Sequence, residues 1–406
     1  MNNLSYLLKI MLLGTMIASI QFSGKGQDIL HVTVIDKETG KPIEWVSIVY
    51  PQLQEGTHTN RDGIAELTKK SGEYIQIFHL SYEPILISAQ EIALKHHLTI
   101  ALQHKSISIE EVNITYFDLR KALLYVIKNF KKLYHHKPTD RIANLKETMH
   151  LDGELKRLVL SKFGWSSKNY IFNKHAAPKF KLFDVEYNKS LALNIFQDIP
   201  EYNQKNTEYI NFEDIIRTLY LEQFLHNLYV HTPTIQVDQI TSDQDILIVK
   251  YVSDWSKIQN QTTKSSGTIV FDKKTKAIIE LSNEIDHQGN QRYLQILNSP
   301  LGYMKQTTRS YSMHQFYKNE DGKYSLQLFK ASSDGVIAYK TQSHRLSFDN
   351  TIYFLKETKI NPNDKGPFVD TKIPLYQNIP QTALRMPQLS SINLNTEELM
   401  FMNNEK

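Results

Sequence analysis

Ile29-Leu30-His31-Val32-Thr33-Val34-Ile35 runs into Asp36-Lys37-Glu38-Thr39-Gly40-Lys41-Pro42 and out again through Ile43-Glu44-Trp45-Val46-Ser47-Ile48-Val49. Two β-branched runs divided by a polar segment with Gly and Pro read as strand, turn, strand. The pattern repeats downstream through Ile64–Leu67, Tyr74–Leu80, Ile85–Ile87 and Leu98–Leu102, with Asn60-Arg61-Asp62-Gly63 as a further turn. Asp62-Gly63 is a strong hairpin signal because both residue types tolerate positive φ. About seven short strands between Asp28 and Ile114 predict a small antiparallel β-sandwich.

Beyond Val112 the period changes. Leu119, Leu123, Val126, Ile127, Phe130 and Tyr134 fall on one stripe of a helix that ends in His135-His136-Lys137-Pro138. A second helix is predicted from Asn211 as N-cap, with Asp214 three residues on, burying Phe212, Ile215, Ile216, Leu219, Phe224, Leu225 and Leu228. Strands are expected at Glu154–Lys162, Thr234–Ile240, Asp245–Val252, Gly267–Phe271, Ala277–Asn283, Gln291–Leu297, Tyr303–Tyr317, Lys323–Lys330 and Ser343–Thr358. Long strands joined by turns such as Asp272-Lys273-Lys274-Thr275 build one large antiparallel sheet. The expected fold class is therefore mainly β, or α+β: a small antiparallel sandwich followed by a larger antiparallel sheet with a few packed helices. Its parts are a signal peptide (1–26), the sandwich (27–114), the large-sheet α+β domain (115–360) and an irregular C-terminal tail (361–406).

Val34 through Ile43, then Thr57-His58-Thr59-Asn60-Arg61-Asp62-Gly63, Leu80-Ser81-Tyr82-Glu83-Pro84, and Leu98–Leu102 before Ile109–Val112, resemble the carboxypeptidase-like regulatory domain. In that pattern His31 stands where a glycine is usual and Trp45 where a small residue is usual. The resemblance implies a prealbumin-like, carbohydrate-binding-like sandwich of the Gram-negative envelope that is accessory and non-catalytic. Gly267 through Ile278 resembles, over a shorter stretch, the repeating hairpin of lipoprotein-carrier (LolA/LolB-type) half-barrels.

The first residues set the compartment. Ile10 to Ile20 is an unbroken apolar run of 11 residues after Lys9, the h-region of a secretory signal peptide, whereas a bilayer span needs about 20. Cleavage is expected within Ser23–Gln27, and losing Lys9 and Lys25 moves the formal charge from +4 to +2. The 406 residues contain no cysteine, which removes thiol catalysis, disulfides, Cys-ligated zinc and cysteine lipidation. Near-neutral charge with 41% hydrophobic residues excludes a basic nucleic-acid binder.

No His-x-x-Glu, His-Glu-x-x-His, Gly-x-Ser-x-Gly, phosphate-binding or dinucleotide motif occurs. His79 with Glu83 and His150 with Glu154 are four apart across strand or turn sequence, and His96-His97 and His135-His136 are doublets that read as solvated. Adjacent imidazoles on a strand point to opposite faces and chelate poorly without help from elsewhere. Glu110-Glu111 is what composition alone gives. Between Asp118 and Arg157 ten basic residues face five acidic ones, read as a solvated helix face rather than a lipid-phosphate contact. The strand tyrosines, among them Tyr303, Tyr311, Tyr317, Tyr324, Tyr339 and Tyr353, read as cross-strand packing rather than a barrel girdle.

No residue is assigned a catalytic, cofactor-binding or metal-binding role, and no cofactor is expected. The expected function is a non-enzymatic binding or interaction protein of the envelope, periplasmic or peripherally attached to the outer membrane. Its partner would be an envelope protein or a hydrophobic or glycan ligand, not nucleic acid. The alternatives are a periplasmic carrier, which requires an apolar cavity of some hundreds of Å³ lined by strand residues, and an integral outer-membrane barrel.

Overall fold

A computed structural model describes residues 28–53, 55–79, 81–104, 117–136, 139–167, 179–191, 212–231, 235–242, 245–258, 261–288, 291–295, 302–319, 321–339, 341–354, 368–378 and 394–403. The expected signal peptide, Glu110-Glu111 and the expected Asn211 N-cap lie outside the described residues. The protein is mainly β with a few helices, as its patterning predicts.

The first unit contains β1 (Ile29–Asp36), β2 (Ser47–Tyr50), β3 (Glu55–His58), β4 (Ile64–Thr68), β5 (Ile75–His79), β6 (Tyr82–Ile87), α1 (Ala89–Leu94) and β7 (His97–Leu102). One sheet has the order β3-β2-β5-β6 and is antiparallel. The other has the order β4-β1-β7, and here β1 and β7 run parallel, so the sandwich is not wholly antiparallel. Alternation sends Leu30, Val32 and Val34 of β1 and Leu98, Ile100 and Leu102 of β7 into a core with Ile48, Ile75 and Ile77. The odd-numbered residues His31 and His97 therefore stand on the outer face.

The second unit begins with α2 (Leu119–Leu133), capped by Asp118, whose Oδ1 accepts from the Lys121 N–H at 2.8 Å. It continues through β8 (Thr139–Leu151), β9 (Glu154–Ser167), β10 (Lys179–Ser190), α3 (Phe212–Leu219), α4 (Leu221–His231), β11 (Ile235–Ser242), β12 (Ile246–Ser253), β13 (Ser256–Ile258), β14 (Gln261–Asp272), β15 (Ile278–Gln288), β16 (Gln291–Gln295), β17 (Gly302–Lys318), β18 (Tyr324–Tyr339) and β19 (Gln342–Phe354). The main path of the sheet is β10-β9-β8-β19-β18-β17-β15-β14-β12-β11, with β13 on β14 and β16 on β17. β10 and β11 stand at its two ends, and no pairing joins them among the described residues.

Several elements depart from the expectation. β8 and β10 were not among the expected strands. The helix predicted from Asn211 is two helices, broken at buried Tyr220, whose hydroxyl accepts from Trp165 Nε1 at 3.2 Å. His314, buried beneath the break, donates from Nε2 to the Thr218 carbonyl at 2.7 Å, satisfying a helix-end acceptor. The tail is not irregular throughout: α5 (Leu375–Asn378) and α6 (Thr396–Asn403) are folded, with Leu375, Glu398 and Met402 buried.

Alternation decides what covers each face of the large sheet. Phe329, Ile352 and Phe354 pack with α2, α3 and α4, whereas their strand neighbours Leu328 and Tyr353 point the other way and meet Trp45 of the sandwich. The helix-covered face is filled by Leu123, Val126, Phe130, Ile216, Leu225 and their neighbours. On the opposite face Lys330 Nζ lies 4.5 Å over the Trp45 ring, and Asn60 Nδ2 donates to the Leu394 carbonyl at 2.7 Å. Thr396 donates from N and Oγ1 to Asp62, and Lys146 pairs with Glu398 at 2.9 Å, so α6 ties the sandwich to β8. No helix among the described residues is long and apolar enough to cross a membrane.

Candidate functional site

Two openings differ in size and chemistry. A polar cleft lies where the sandwich meets the large sheet, bordered by Glu44, Trp45, His58, Lys330, Tyr353 and Glu398. Trp45 holds a left-handed φ of 66°, which for a bulky residue requires support, and its N–H donates to the Thr59 carbonyl at 3.0 Å. The cleft holds only about 50 Å³, room for a water or two at about 30 Å³ each.

The second opening is a pocket of about 450 Å³ between the start of α2 and the β14–β15 turn. Phe117, Ala122 and Tyr125 form its helical wall, and Leu247 of β12 with Phe271 of β14 forms its strand wall. It falls within the roughly 300–1,000 Å³ of small-molecule sites. It sits at the end of the helix-covered face, not inside the filled core.

Charge at the rim is uneven. Lys121, Lys273 and Lys276 border the pocket together with Asp118 and Asp272. Both carboxylates are committed to their own backbone: Asp118 caps α2, and Asp272 Oδ1 accepts from the Thr275 N–H and hydroxyl while its Oδ2 accepts from Tyr324 at 2.7 Å. Burial opposes ionisation of Asp272, yet the Thr275 and Tyr324 bonds hold its carboxyl below the usual range. Three ammonium groups against two ionised carboxylates leave the mouth one positive charge in excess, with Lys273 Nζ also donating to Ser242 Oγ at 3.0 Å. An apolar interior under a cationic rim suits an amphiphile with an anionic end.

The residues weighed in the sequence mostly serve structure. His79 packs edge-on against Tyr82, and Glu83 is exposed. His150 Nε2 lies 3.3 Å from Glu397, while Glu154 pairs with Lys156 at 2.8 Å, so neither four-residue spacing forms a ligand pair. The basic segment is not one solvated face. Lys121, Lys128, Lys131 and Lys132 are exposed on α2, but Arg141 and Arg157 are buried on β8 and β9. The Arg157 guanidinium lies 3.6 Å over the Tyr376 ring and 3.4 Å from Glu147, whose carboxyl is pushed up by burial. His135 and His136 follow α2, the His135 N–H donating to the Tyr324 carbonyl at 2.9 Å. Of the tyrosines, Tyr324 and Tyr353 are buried and used in packing.

Two imidazoles are held neutral by burial alone: His314, and His58, which rests edge-on against Tyr353, are each pushed down to about 4. His96 and His97 do point apart, but His97 meets His31 across the sheet, a contact the sequence does not reveal. No group of three or more His, Asp or Glu side chains is arranged to hold a metal ion among the described residues.

No family model matches the chain, and no curated protein does. Among solved structures, a loop L8 deletion mutant of OmpT, an outer membrane protein of Vibrio cholerae, is 8% identical over 53% of this chain and 99% of that one, with a TM-score of 0.12. In-vitro folded OmpT in its trimer form is 6% identical over 54% and 100%, with a TM-score of 0.11. The S. cerevisiae core factor is 8% identical over 82% and 62%, with a TM-score of 0.09. Similarity this low implies neither a shared fold nor a shared activity.

Proposed function

We propose that this is an exported, non-enzymatic binding protein of the bacterial cell envelope whose pocket beside α2 takes a small anionic amphiphile. The single observation behind this reading is the pocket of about 450 Å³, walled by Phe117, Ala122, Tyr125, Leu247 and Phe271 and rimmed by three lysines. The apolar part of the ligand enters between α2 and β14, and its carboxylate or phosphate meets Lys121, Lys273 and Lys276. The large sheet then serves as a carrier-type scaffold, consistent with the hairpin resemblance at Gly267–Ile278. The sandwich is the accessory module, of the carboxypeptidase-like regulatory type that its Val34–Ile43 and Asp62-Gly63 strings resemble. Its place is the periplasm or the periphery of the outer membrane, without a lipid on cysteine.

The test is displacement of a fluorescent long-chain fatty acid from the full chain by dodecanoate. Saturable binding that is lost in Ala122→Trp, which fills the pocket, and weakened in Lys121→Glu is the expected result. Binding unaffected by both substitutions contradicts the reading.

A further inference from the structure

The outer face of the three-stranded sheet of the sandwich carries a row of polar side chains in register. Glu66 of β4 lies opposite His31 of β1, and His31 lies opposite His97 of β7. Inward alternation of Leu30, Val32, Leu98 and Ile100 fixes His31 and His97 outward, so the pairing is imposed by the core rather than by the two side chains. Their rings stand 4.8 Å apart and within 14° of parallel. His31 Nδ1 is 3.1 Å from the Glu66 carboxylate, and the His31 side chain is 40% exposed.

We propose that His31 and His97 form a two-imidazole site for a late first-row divalent metal ion, with Glu66 as a positioning residue. Imidazole nitrogen suits Cu²⁺, Ni²⁺ and Zn²⁺, and of these Cu²⁺ binds a given site most tightly. The Glu66 carboxylate, 3.1 Å from His31 Nδ1, favours the proton on that nitrogen and so assigns the metal to Nε2. His97 supplies the second nitrogen from the neighbouring strand. Rotation of the two exposed side chains tilts the rings together until each nitrogen is about 2.0–2.1 Å from the ion. Because β1 and β7 are hydrogen-bonded along their length, only side-chain torsions are spent in closing the site. Two protein nitrogens leave the remaining positions to water or to a ligand from another molecule, so the site is open rather than structural. His96 precedes β7 and points elsewhere, its Nδ1 3.4 Å from Asp28, which makes it an internal control.

Cu²⁺ titrated into the full chain, followed by calorimetry and electron paramagnetic resonance, tests the assignment. The expected result is a site whose hyperfine pattern shows two coordinating nitrogens. Its affinity falls at least tenfold in His31→Ala and in His97→Ala, falls about tenfold in Glu66→Gln, and is unchanged in His96→Ala. Should His31→Ala fail to fold, His31→Gln keeps the polar outer position and serves in its place. Absence of binding to the folded parent, binding that survives both imidazole substitutions, or binding abolished by His96→Ala overturns the proposal.

Discussion

The sandwich and the large sheet each turn a corner on the same device, at Asp36–Lys41 and at Asp272–Ala277. In both, the aspartate N–H donates to the carbonyl five residues on, at 2.8 Å, and the N–H four residues on donates back to the aspartate carbonyl. In both, a threonine three residues on gives its N–H and hydroxyl to Oδ1, and a distant tyrosine hydroxyl closes on Oδ2 at 2.7 Å: Tyr82 in one case, Tyr324 in the other. The difference lies at the left-handed position. Gly40 occupies it in the sandwich with φ 69°, and Lys276 occupies it in the large sheet with φ 62°. A lysine there carries a steric cost that glycine avoids. That cost places an ammonium group at the rim of the apolar pocket, 5.5 Å from the Tyr125 ring. One turn carries the chain from β1 into the other sheet of the sandwich, and its counterpart joins paired β14 and β15 and also borders the pocket.

The largest effect should come from the tyrosine that locks each turn. Tyr324→Phe removes a hydrogen bond to a carboxylate and should cost about 1.5–3 kcal/mol in urea unfolding. Tyr82→Phe should destabilise in the same direction, and a silent Tyr82→Phe would break the equivalence of the turns. Next comes the left-handed position. Gly40→Ala should cost about 1–2 kcal/mol, whereas Lys276→Gly should gain about 1 kcal/mol while weakening fatty-acid binding. A Lys276→Gly variant that is both less stable and fully competent in binding would refute the assigned trade.

The smallest effect concerns pH. Asp36 is held well below the usual carboxyl range by the Thr39 N–H and the Tyr82 hydroxyl, and Asp272 is held low by the equivalent bonds despite burial. A depressed native pKa contributes stability that is fully present above the unfolded value of 3.8 and is lost as the pH falls through the native value. The stability gap between the parent and Asp272→Asn should therefore be constant near neutrality and close as the pH drops below 3.8. A gap that widens on acidification would show that the carboxylate is not the group being stabilised.

Much of the fold was legible because its strands alternate and its turns use Asp, Thr and Gly at demanding positions. The strands at Ile29–Asp36 and His97–Leu102 alternate cleanly because one face is buried and the other wet. β8 hid itself because both of its faces are covered while it carries charge: Arg141, Glu147 and Thr148 are buried, and Lys146 is tied to Glu398 of α6. A polar strand buried on both sides has neither the alternation of a surface strand nor the apolar run of a core strand. The helix break at Tyr220 has no glycine or proline to announce it, since it is made by partners at Trp165 and His314 that are distant in sequence. The pocket was invisible for a related reason. The α2 stripe and the Asp272 turn were each readable alone, but Phe117, Leu247 and Phe271 meet only once the sheet is assembled. Likewise His31 appeared only as a departure from glycine until β1 and β7 paired in parallel.

Amide chemical-shift mapping of the full chain during titration with dodecanoate tests the central claim most directly. Saturable shifts should concentrate at 117–125, around Leu247 and across 271–276, with the filled helix-covered core and the interdomain cleft silent. No saturable shift, or shifts confined to the cleft at Trp45 and Lys330, would contradict it.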